Sequence, residues 1–311
     1  MTFRECLKAG ERELAAAGVP EAALDAWYLL EHVTGLNRAH YFLRQNEAME
    51  TWQEEAYRAL IRRRADRVPL QHLTGETEFM GLPFAVDARV LVPRQDTEKL
   101  VELVLDWAQE RETSPRVVDG KMPGGSSQQA LDRAQKGEAP LRALDLCTGS
   151  GCIAVSLAKL GHFAAVVGAD LSEEALTVAR ENGCRNRCEN LTFRQSDLFQ
   201  AFAGERFEVI TANPPYIPTA EIGGLMPEVR DHDPWMALDG REDGLYFYRR
   251  LAAESPEHLT PGGRIFWEIG WNQGEDVRRM LTAAGFTSVE IFRDDTGLDR
   301  VITGEWKCLT D

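Results

Sequence analysis

From Leu141 to Ile269 the chain alternates short apolar runs with segments of helical periodicity, a pattern that few architectures can accommodate. Strands that alternate with helices form βαβ units, and such units build a mostly parallel sheet with helices packed on its faces. The predicted strands are Ala143–Leu146, Ala165–Asp170, Leu191–Phe193, Phe207–Ala212 and Arg264–Ile269. Because ligands bind such sheets beyond the carboxyl ends of the strands, the residues that follow each run are the candidate site residues.

A glycine-rich segment follows the first predicted strand. It reads Asp145-Leu146-Cys147-Thr148-Gly149-Ser150-Gly151, and Gly149-x-Gly151-x-x-Ala154 satisfies the dinucleotide-binding fingerprint with its permitted final alanine. Glycines between a strand and a helix let the backbone approach a ligand closely and expose N–H groups at the helix start. Asp170 ends the next strand, about 20 residues further on, where it can accept hydrogen bonds from ribose hydroxyls. The segment predicts a cofactor that contains adenosine, with NAD and S-adenosylmethionine both open.

A second motif, Asn213-Pro214-Pro215-Tyr216, directly follows the fourth predicted strand. Its prolines fix φ and lack N–H groups, so the local backbone presents stiff carbonyl acceptors. The Asn213 side-chain oxygen beside the Pro214 carbonyl gives a pair of acceptors suited to one planar –NH₂ group, and Tyr216 adds an aromatic wall for stacking. A hydride-transfer site has no evident need of this arrangement. The motif therefore favours S-adenosylmethionine over NAD.

The N-terminal region predicts helices. Thr2 with Glu5, and Thr51 with Glu54, have the spacing of capping boxes, in which each side chain satisfies a backbone N–H at a helix start. The run Arg62–Arg64 lies near the end of the third predicted helix. We interpret this run as a solvated face rather than a contact with RNA, because acidic residues lie on the same helix.

Between the helices and the α/β region the pattern changes twice. Phe84 with Val86, and Val90 with Val92, keep the alternation of half-buried strands, which predicts short strands or a hairpin. Residues 113–140 are rich in Gly, Ser, Gln, Lys and Pro, so we predict a flexible insert there and assign it no function.

Composition narrows the class of partner. The chain has 311 residues, with 35 Lys and Arg against 50 Asp and Glu, and a formal net charge of -15. Because affinity for nucleic acid comes largely from neutralising phosphates, this balance favours protein or small-molecule partners. No apolar run approaches the roughly 20 residues that span a bilayer, and the N-terminus lacks the apolar core of a signal peptide, so we expect a soluble, intracellular protein. The six cysteines include no CxxC pair, which predicts reduced thiols and no metal site.

Together these motifs resemble the class I S-adenosylmethionine-dependent methyltransferases that modify planar nitrogens. The segments that carry this resemblance are Asp145–Gly151, Asp170, Ser196-Asp197 and Asn213–Tyr216. Further segments resemble the PrmC/HemK family, over nearly the whole chain apart from the insert; they are Pro69–Gly75, Phe79–Phe84, Val92–Glu98 and Glu268–Gly274. The resemblance implies a Rossmann-like α/β methyltransferase domain with a mostly parallel sheet, a small N-terminal helical domain and a β-hairpin tether. We assign residues 1–74 to a helical substrate-recognition domain, 75–95 to the tether and 96–311 to the methyltransferase domain.

The resemblance also implies the role of each site residue. The loop Cys147–Gly151 would wrap the methionine part of the cofactor, Asp170 would hold the ribose, and Leu198 would lie by the adenine. The family usually has Gly at the position of Cys147, so a positive φ there would strain the cysteine. The predicted cofactor-binding residues are Asp145, Cys147, Thr148, Gly149, Ser150, Gly151, Asp170, Asp197, Leu198 and Asn213. The predicted substrate-binding residues are Asn213, Pro214, Pro215 and Tyr216, and of these Asn213, Pro214 and Tyr216 are also predicted to be catalytic.

Enzymes of this family methylate the side-chain amide of the glutamine in the Gly-Gly-Gln motif of peptide-chain release factors. The resemblance therefore implies a cytoplasmic protein-glutamine N-methyltransferase whose second product is S-adenosylhomocysteine, with release factors as its partners and no direct contact with nucleic acid or membrane.

Four alternatives remain at the level of sequence. The same pocket suits the sister activity on a glutamine of a large-subunit ribosomal protein, and it could also hold the exocyclic amine of adenine in a nucleic-acid methyltransferase. The excess of acidic residues speaks against the nucleic-acid methyltransferase. An NAD-dependent oxidoreductase would leave Asn213–Tyr216 unexplained, and an inactive binding module would have little reason to retain Asn213.

Overall fold

The computed structural model describes residues 1–113 and 141–307. The predicted insert at 113–140 therefore lies almost wholly outside the described residues. The chain divides into two compact units. Unit 1 comprises Met1–Thr77, Ala85–Val92 and Glu221–Trp235, and unit 2 comprises Glu78–Phe84, Pro93–Ala220 and Met236–Asp311.

The described chain begins with five α-helices, and strands and helices are interspersed after them. The α-helices are α1 (Phe3–Ala16), α2 (Ala22–Thr34), α3 (Arg38–Arg44), α4 (Thr51–Ala65), α5 (Leu70–Thr74), α6 (Gln95–Thr113), α7 (Cys152–Leu160), α8 (Glu173–Arg185), α9 (Pro227–Arg230), α10 (Trp235–Leu238), α11 (Tyr246–His258) and α12 (Gly274–Ala283). The strands are β1 (Glu76–Phe79), β2 (Leu82–Ala85), β3 (Arg142–Leu146), β4 (Ala165–Asp170), β5 (Leu191–Gln195), β6 (Phe207–Ala212), β7 (Leu259–Glu268), β8 (Phe286–Arg293) and β9 (Asp299–Trp306). Within the described ranges, no helix is both long enough and apolar enough to cross a bilayer.

Unit 1 is largely helical, and the sequence predicts the start of α1 but not that of α4. At α1 the predicted capping box forms, because the Glu5 amide donates to Thr2 Oγ1 at 3.2 Å and the Thr2 amide donates to Glu5 Oε2 at 2.9 Å. The second predicted box is wrong. Helix α4 begins at Thr51, one residue earlier than that box requires, and its N-cap Glu50 makes no side-chain cap. Glu54 instead binds the N-terminal ammonium group at 2.6 Å.

The arginine run in α4 also differs from the prediction. Of Arg62–Arg64, the first two are exposed, but Arg64 is buried and only 5% exposed. It follows the buried Ile61 by three residues and therefore lies on the same face of the helix. Its guanidinium donates to Asp25 Oδ2 at 2.7 Å and to Glu228 Oε1 at 3.0 Å. The buried carboxylate of Asp25 and the half-buried carboxylate of Glu228 thus replace water around this cation.

The hairpin prediction is partly confirmed. Strands β1 and β2 pair in a two-stranded sheet. Val90 and Val92 are buried but form no strand, because the alternation there reflects a loop that packs its apolar side chains inward.

Unit 2 contains a seven-stranded sheet with the order β5-β4-β3-β6-β7-β9-β8. Strands β3 to β7 pair in parallel, and β9 runs antiparallel to both of its neighbours. The predicted mostly parallel α/β sheet is confirmed. Strands β8 and β9, which form the antiparallel end of the sheet, were not predicted.

Both faces of this sheet are covered. Neighbouring residues of a strand point to opposite faces, so Leu144 and Ile210 enter one buried apolar cluster while Ala143 and Val209 enter another. Burial on both faces explains why these strands are continuous apolar runs in the sequence.

Candidate active site

The strand register brings the candidate residues to one edge of the sheet. Leu146, the last residue of β3, pairs with β4 one residue before Asp170 and with the last residue of β6. Asp170 and Asn213 therefore flank the loop 147–151 that leaves β3. The pairing of β6 with β7 places Glu268 level with Asn213.

Asp145 supports this loop from inside the protein. Its side chain is fully buried; Oδ2 accepts a hydrogen bond from Thr148 Oγ1 at 2.6 Å, and Oδ1 accepts one from Thr211 Oγ1 at 2.7 Å. Burial raises the pKa of Asp145 to about 7, although both hydroxyls oppose the rise. The carboxyl group ties the start of the loop to β6, and its direct contact with a cofactor remains a prediction.

The loop backbone is left-handed at three positions, with φ of +56° at Cys147, +54° at Gly149 and +80° at Gly151. The expected positive φ at Cys147 is present, so a side chain occupies a conformation that favours glycine. A Cβ on Gly151 would lie 3.1 Å from the Ala179 Cβ, so glycine is needed there for close packing. A Cβ on Gly149 would meet nothing within 4 Å, so open space lies in front of the loop. Ser150 is buried, and its carbonyl accepts a hydrogen bond from α8.

Asp170 faces the loop from the end of β4. Its Oδ2 accepts the Gly149 amide at 2.9 Å and its Oδ1 accepts the Ser172 amide at 2.9 Å. Burial raises the pKa of Asp170, against the effect of these N–H groups. Because a carboxylate oxygen has two lone pairs, each oxygen keeps one for a further donor such as a ribose hydroxyl.

Asp197 and Leu198 follow β5 and have different surroundings. Asp197 Oδ1 pairs with Arg250 Nη1 at 2.7 Å, a partner that sequence analysis missed. Leu198 is 5% exposed and belongs to the apolar cluster against which the Cys147 side chain packs. The contact of Leu198 with the adenine stays a prediction, and the carboxylate of Asp197 is engaged by a cation.

The Asn213-Pro214-Pro215-Tyr216 turn leaves two acceptors without partners. Pro214 and Pro215 are buried, and Asn213 is half-buried. In the described part of the chain, nothing donates a hydrogen bond to the Asn213 side chain or to the Pro214 carbonyl. Unpaired acceptors on a stiff backbone suit a ligand that brings its own N–H groups.

Tyr216 is held by residues distant in sequence that were not predicted as site residues. Its hydroxyl donates to Glu268 Oε1 at 3.4 Å, and Glu268 Oε2 accepts from Thr97 Oγ1 at 2.6 Å. Burial raises the pKa of both Tyr216 and Glu268. Thr97 lies in the first turn of α6, which begins at Gln95, and its hydroxyl points to Glu268 at the end of β7. The one sequence signal that could have indicated this contact is that Val92–Glu98 and Glu268–Gly274 resemble segments of the same family.

These residues fit S-adenosylmethionine. Space is open next to the Gly149 Cα, and the Asp170 oxygens that accept backbone amides keep lone pairs that ribose hydroxyls could use. Leu198 is apolar but only 5% exposed. The acceptors at Asn213 and Pro214 lie at the same sheet edge, so a second, amide-bearing ligand can approach beside the cofactor.

The sheet order and this edge define a class I S-adenosylmethionine-dependent methyltransferase, and a model of a methyltransferase domain matches residues 138–239. A model of the PrmC N-terminal domain matches residues 5–75. The release factor glutamine methyltransferase of Geobacter sulfurreducens is 38% identical over 303 residues, which are 97% of this chain and 96% of that protein. The one from Deinococcus radiodurans is 38% identical over 302 residues, 97% of this chain and 98% of that protein. The chain belongs to the release factor glutamine methyltransferase family.

Among solved structures, the hMettl16 catalytic domain aligns with a TM-score of 0.53 at 15% identity. The alignment covers 79% of this chain and 82% of that chain. At this identity the likeness concerns the fold alone, and it agrees with the methyltransferase sheet described above.

Proposed function

We propose that the chain transfers the methyl group of S-adenosylmethionine to the side-chain amide nitrogen of the glutamine in the Gly-Gly-Gln motif of peptide-chain release factors. Family membership supports this substrate, since the relatives at 38% identity are named for it. The observation that carries the proposal is a pair of acceptors, Asn213 Oδ1 and the Pro214 carbonyl, that receive no hydrogen bond from residues 1–113 and 141–307.

The chemistry follows from the nature of an amide. Its nitrogen is a poor nucleophile, because the lone pair is delocalised into the carbonyl. When Asn213 and Pro214 each accept one amide hydrogen, they orient the nitrogen and favour a more tetrahedral geometry. S-adenosylmethionine supplies a methyl group on a positively charged sulfur. The residues of the chain would therefore contribute positioning and electrostatic stabilisation.

The chain needs no strong base before transfer. The methylated nitrogen is positively charged and releases its proton readily. Asp145 is buried and occupied by the hydroxyls of Thr148 and Thr211, so its contacts suit loop support rather than proton abstraction.

The substrate is tested by offering the purified protein labelled S-adenosylmethionine together with an intact release factor, large-subunit ribosomal proteins or DNA. We expect label in the release factor only. Label in a ribosomal protein would identify the sister activity instead, and label in DNA would refute the assignment of an amide substrate.

We further propose that residues 1–74 recognise the release factor, that nucleic acid is not a direct partner and that the enzyme works in the cytoplasm. The match of residues 5–75 to the PrmC N-terminal domain supports a distinct role for this region. Deleting it should weaken binding of the release factor far more than binding of the cofactor. Equal losses of both would count against a recognition role.

A further inference from the structure

One buried side chain joins three segments at the carboxyl edge of the sheet. Gln273 precedes α12 and is only 7% exposed. Its Nε2 donates to the Tyr216 carbonyl at 2.9 Å and to the Gly244 carbonyl at 3.3 Å, and its Oε1 accepts the Gly270 amide at 3.0 Å. Both N–H groups are used, so a carboxamide satisfies this site in a way that a carboxylate cannot.

The backbone around Tyr216 is closely packed by glycines. A Cβ on Gly244, where φ is +74°, would overlap the Tyr216 carbonyl oxygen. A Cβ on Gly240 would lie 2.8 Å from the Tyr216 Cα. The Gly240 amide also donates to the Ile217 carbonyl at 2.8 Å. Two glycines thus let the 240–244 segment approach the turn, and Gln273 links both backbones.

The acceptors that would grip the substrate have no support of their own. Asn213 and Pro214 receive no hydrogen bond from the described part of the chain, so their position depends on how the turn is held. The side chain of Tyr216 contributes one long bond of 3.4 Å to Glu268, whereas the Gln273 bond to its carbonyl is 2.9 Å. Gln273 is therefore the stronger polar anchor.

We propose that Gln273 is a positioning residue for methyl transfer, which fixes the Tyr216 backbone and thereby the two acceptors that precede it. Its kinetic consequence rests on the proposed function, but its structural consequence does not. A misplacement of reacting groups by about 1 Å can cost roughly 100-fold in rate. Gln273 would thus act on turnover without touching the substrate.

The Gln273→Glu variant tests this with a pH signature. An ionised carboxyl repels the carbonyls of Tyr216 and Gly244, whereas a protonated one can donate to Tyr216 and still accept from Gly270. Burial and nearby carboxylates would raise the pKa of the introduced group. The titratable and charged groups on the adjoining segments are Tyr216, Arg241, Glu242, Asp243, Glu268, Glu275, Asp276, Asp299 and Arg300.

Asn186→Asp is the matched control. The Asn186 carboxamide is also buried, at 6% exposure, and donates to the Pro83 carbonyl at 2.9 Å and the Asn182 carbonyl at 3.0 Å. This substitution removes the same kind of donor from two carbonyls but lies outside the candidate site. It measures how much kcat and amide exchange change when any buried carboxamide in unit 2 is replaced with a carboxyl group.

We expect Gln273→Glu to lower kcat roughly 100-fold at pH 8.5, with cofactor affinity within about twofold of the unmodified protein, and the deficit to shrink at pH 6. Asn186→Asp should show no such pH-dependent recovery. Amide exchange of peptides spanning 213–219 and 240–245 should accelerate at pH 8.5 in Gln273→Glu alone.

Two results would overturn the inference. One is unchanged exchange in both peptides, and the other is an equal pH-dependent loss of kcat in Asn186→Asp. The exchange measurement needs no substrate. If the unmodified protein fails to label the release factor, the proposed function fails while exchange still decides the role of Gln273.

Discussion

Replacing Glu228 with glutamine removes the charge from a buried cluster in unit 1. Glu228 Oε1 and Oε2 accept Arg67 Nε and Nη2, each at 2.7 Å, and Oε1 also accepts Arg64 Nη2 at 3.0 Å. Glutamine keeps the shape but turns an NH₂ group toward one of these donors. The Arg64 guanidinium, whose side chain is 7% exposed, would keep Asp25 as its only acidic partner among the described residues.

The contacts of Glu228 give the size of the expected loss in the free energy of unfolding. Burial alone would raise the pKa of Glu228, but the bonds from Arg67 and Arg64 outweigh it and lower the pKa from 4.5 to about 2. That difference corresponds to about 3 kcal/mol of stability at neutral pH. Since 13% of the Glu228 side chain is exposed, water screens part of this, and we expect Glu228→Gln to cost ~2–3 kcal/mol. The folded-state pKa is the lower one, so the contribution is complete above pH 4.5 and is lost as pH falls toward 2.

The assay is urea unfolding at several pH values, followed by hydrogen exchange of peptides from unit 1. Glu221→Gln is the control, because Glu221 belongs to the same segment, is exposed and forms no ion pair within the described ranges. A cost below about 1 kcal/mol at pH 7, or a cost that stays constant down to pH 3, would refute the reasoning.

Three further substitutions test the candidate site. Asn213→Ala should lower kcat roughly 100- to 1,000-fold in a methyl-transfer assay yet leave cofactor affinity and melting temperature unchanged, because the side chain has no partner within the described residues; a parallel loss of cofactor binding would contradict its role. Asp170→Ala should weaken S-adenosylhomocysteine binding at least roughly tenfold by calorimetry, since the acceptors for ribose and the anchor of Gly149 are both lost; unchanged affinity would remove Asp170 from the cofactor site. Cys147→Gly should be more stable than Cys147→Ala by about 1 kcal/mol in thermal unfolding, the reverse of the usual order, because φ is +56° there; the usual order would exclude strain.

Local patterns of apolar residues in the sequence predict many of the strands and helices of the fold. Strands β3, β4, β6 and β7 are largely buried, with apolar residues on both faces, so they appear as apolar runs in the sequence. Strand β5 has no buried residue. Strand β8 was missed because it is the outer strand, where exposed and buried positions mix, and Phe286 is its single buried residue. Strand β9 lies between β7 and β8 and is buried in its middle, but Val301 and Ile302 are too short an apolar run to indicate a strand.

Contacts between distant residues could not be predicted in the same way. Thr97 and Glu268 are 171 positions apart, and each has a plausible local role, as a helix cap and as a strand end. Arg64 is similar, because a run of arginines indicates a solvated face unless its acidic partners are known. Its partner Glu228 lies 164 positions away. The local sequence indicates the helix or strand to which such a residue belongs, but the tertiary fold determines which distant residues it contacts.

The central claim is that the acceptors of the Asn213–Tyr216 turn hold the amide of a release-factor glutamine. It is tested most directly by tandem mass spectrometry of an intact release factor after incubation with the protein and S-adenosylmethionine. We predict one methyl group on the side-chain nitrogen of the glutamine in the Gly-Gly-Gln motif, and none with Asn213→Ala. A methyl group on another residue, or an equal yield from Asn213→Ala, would contradict it.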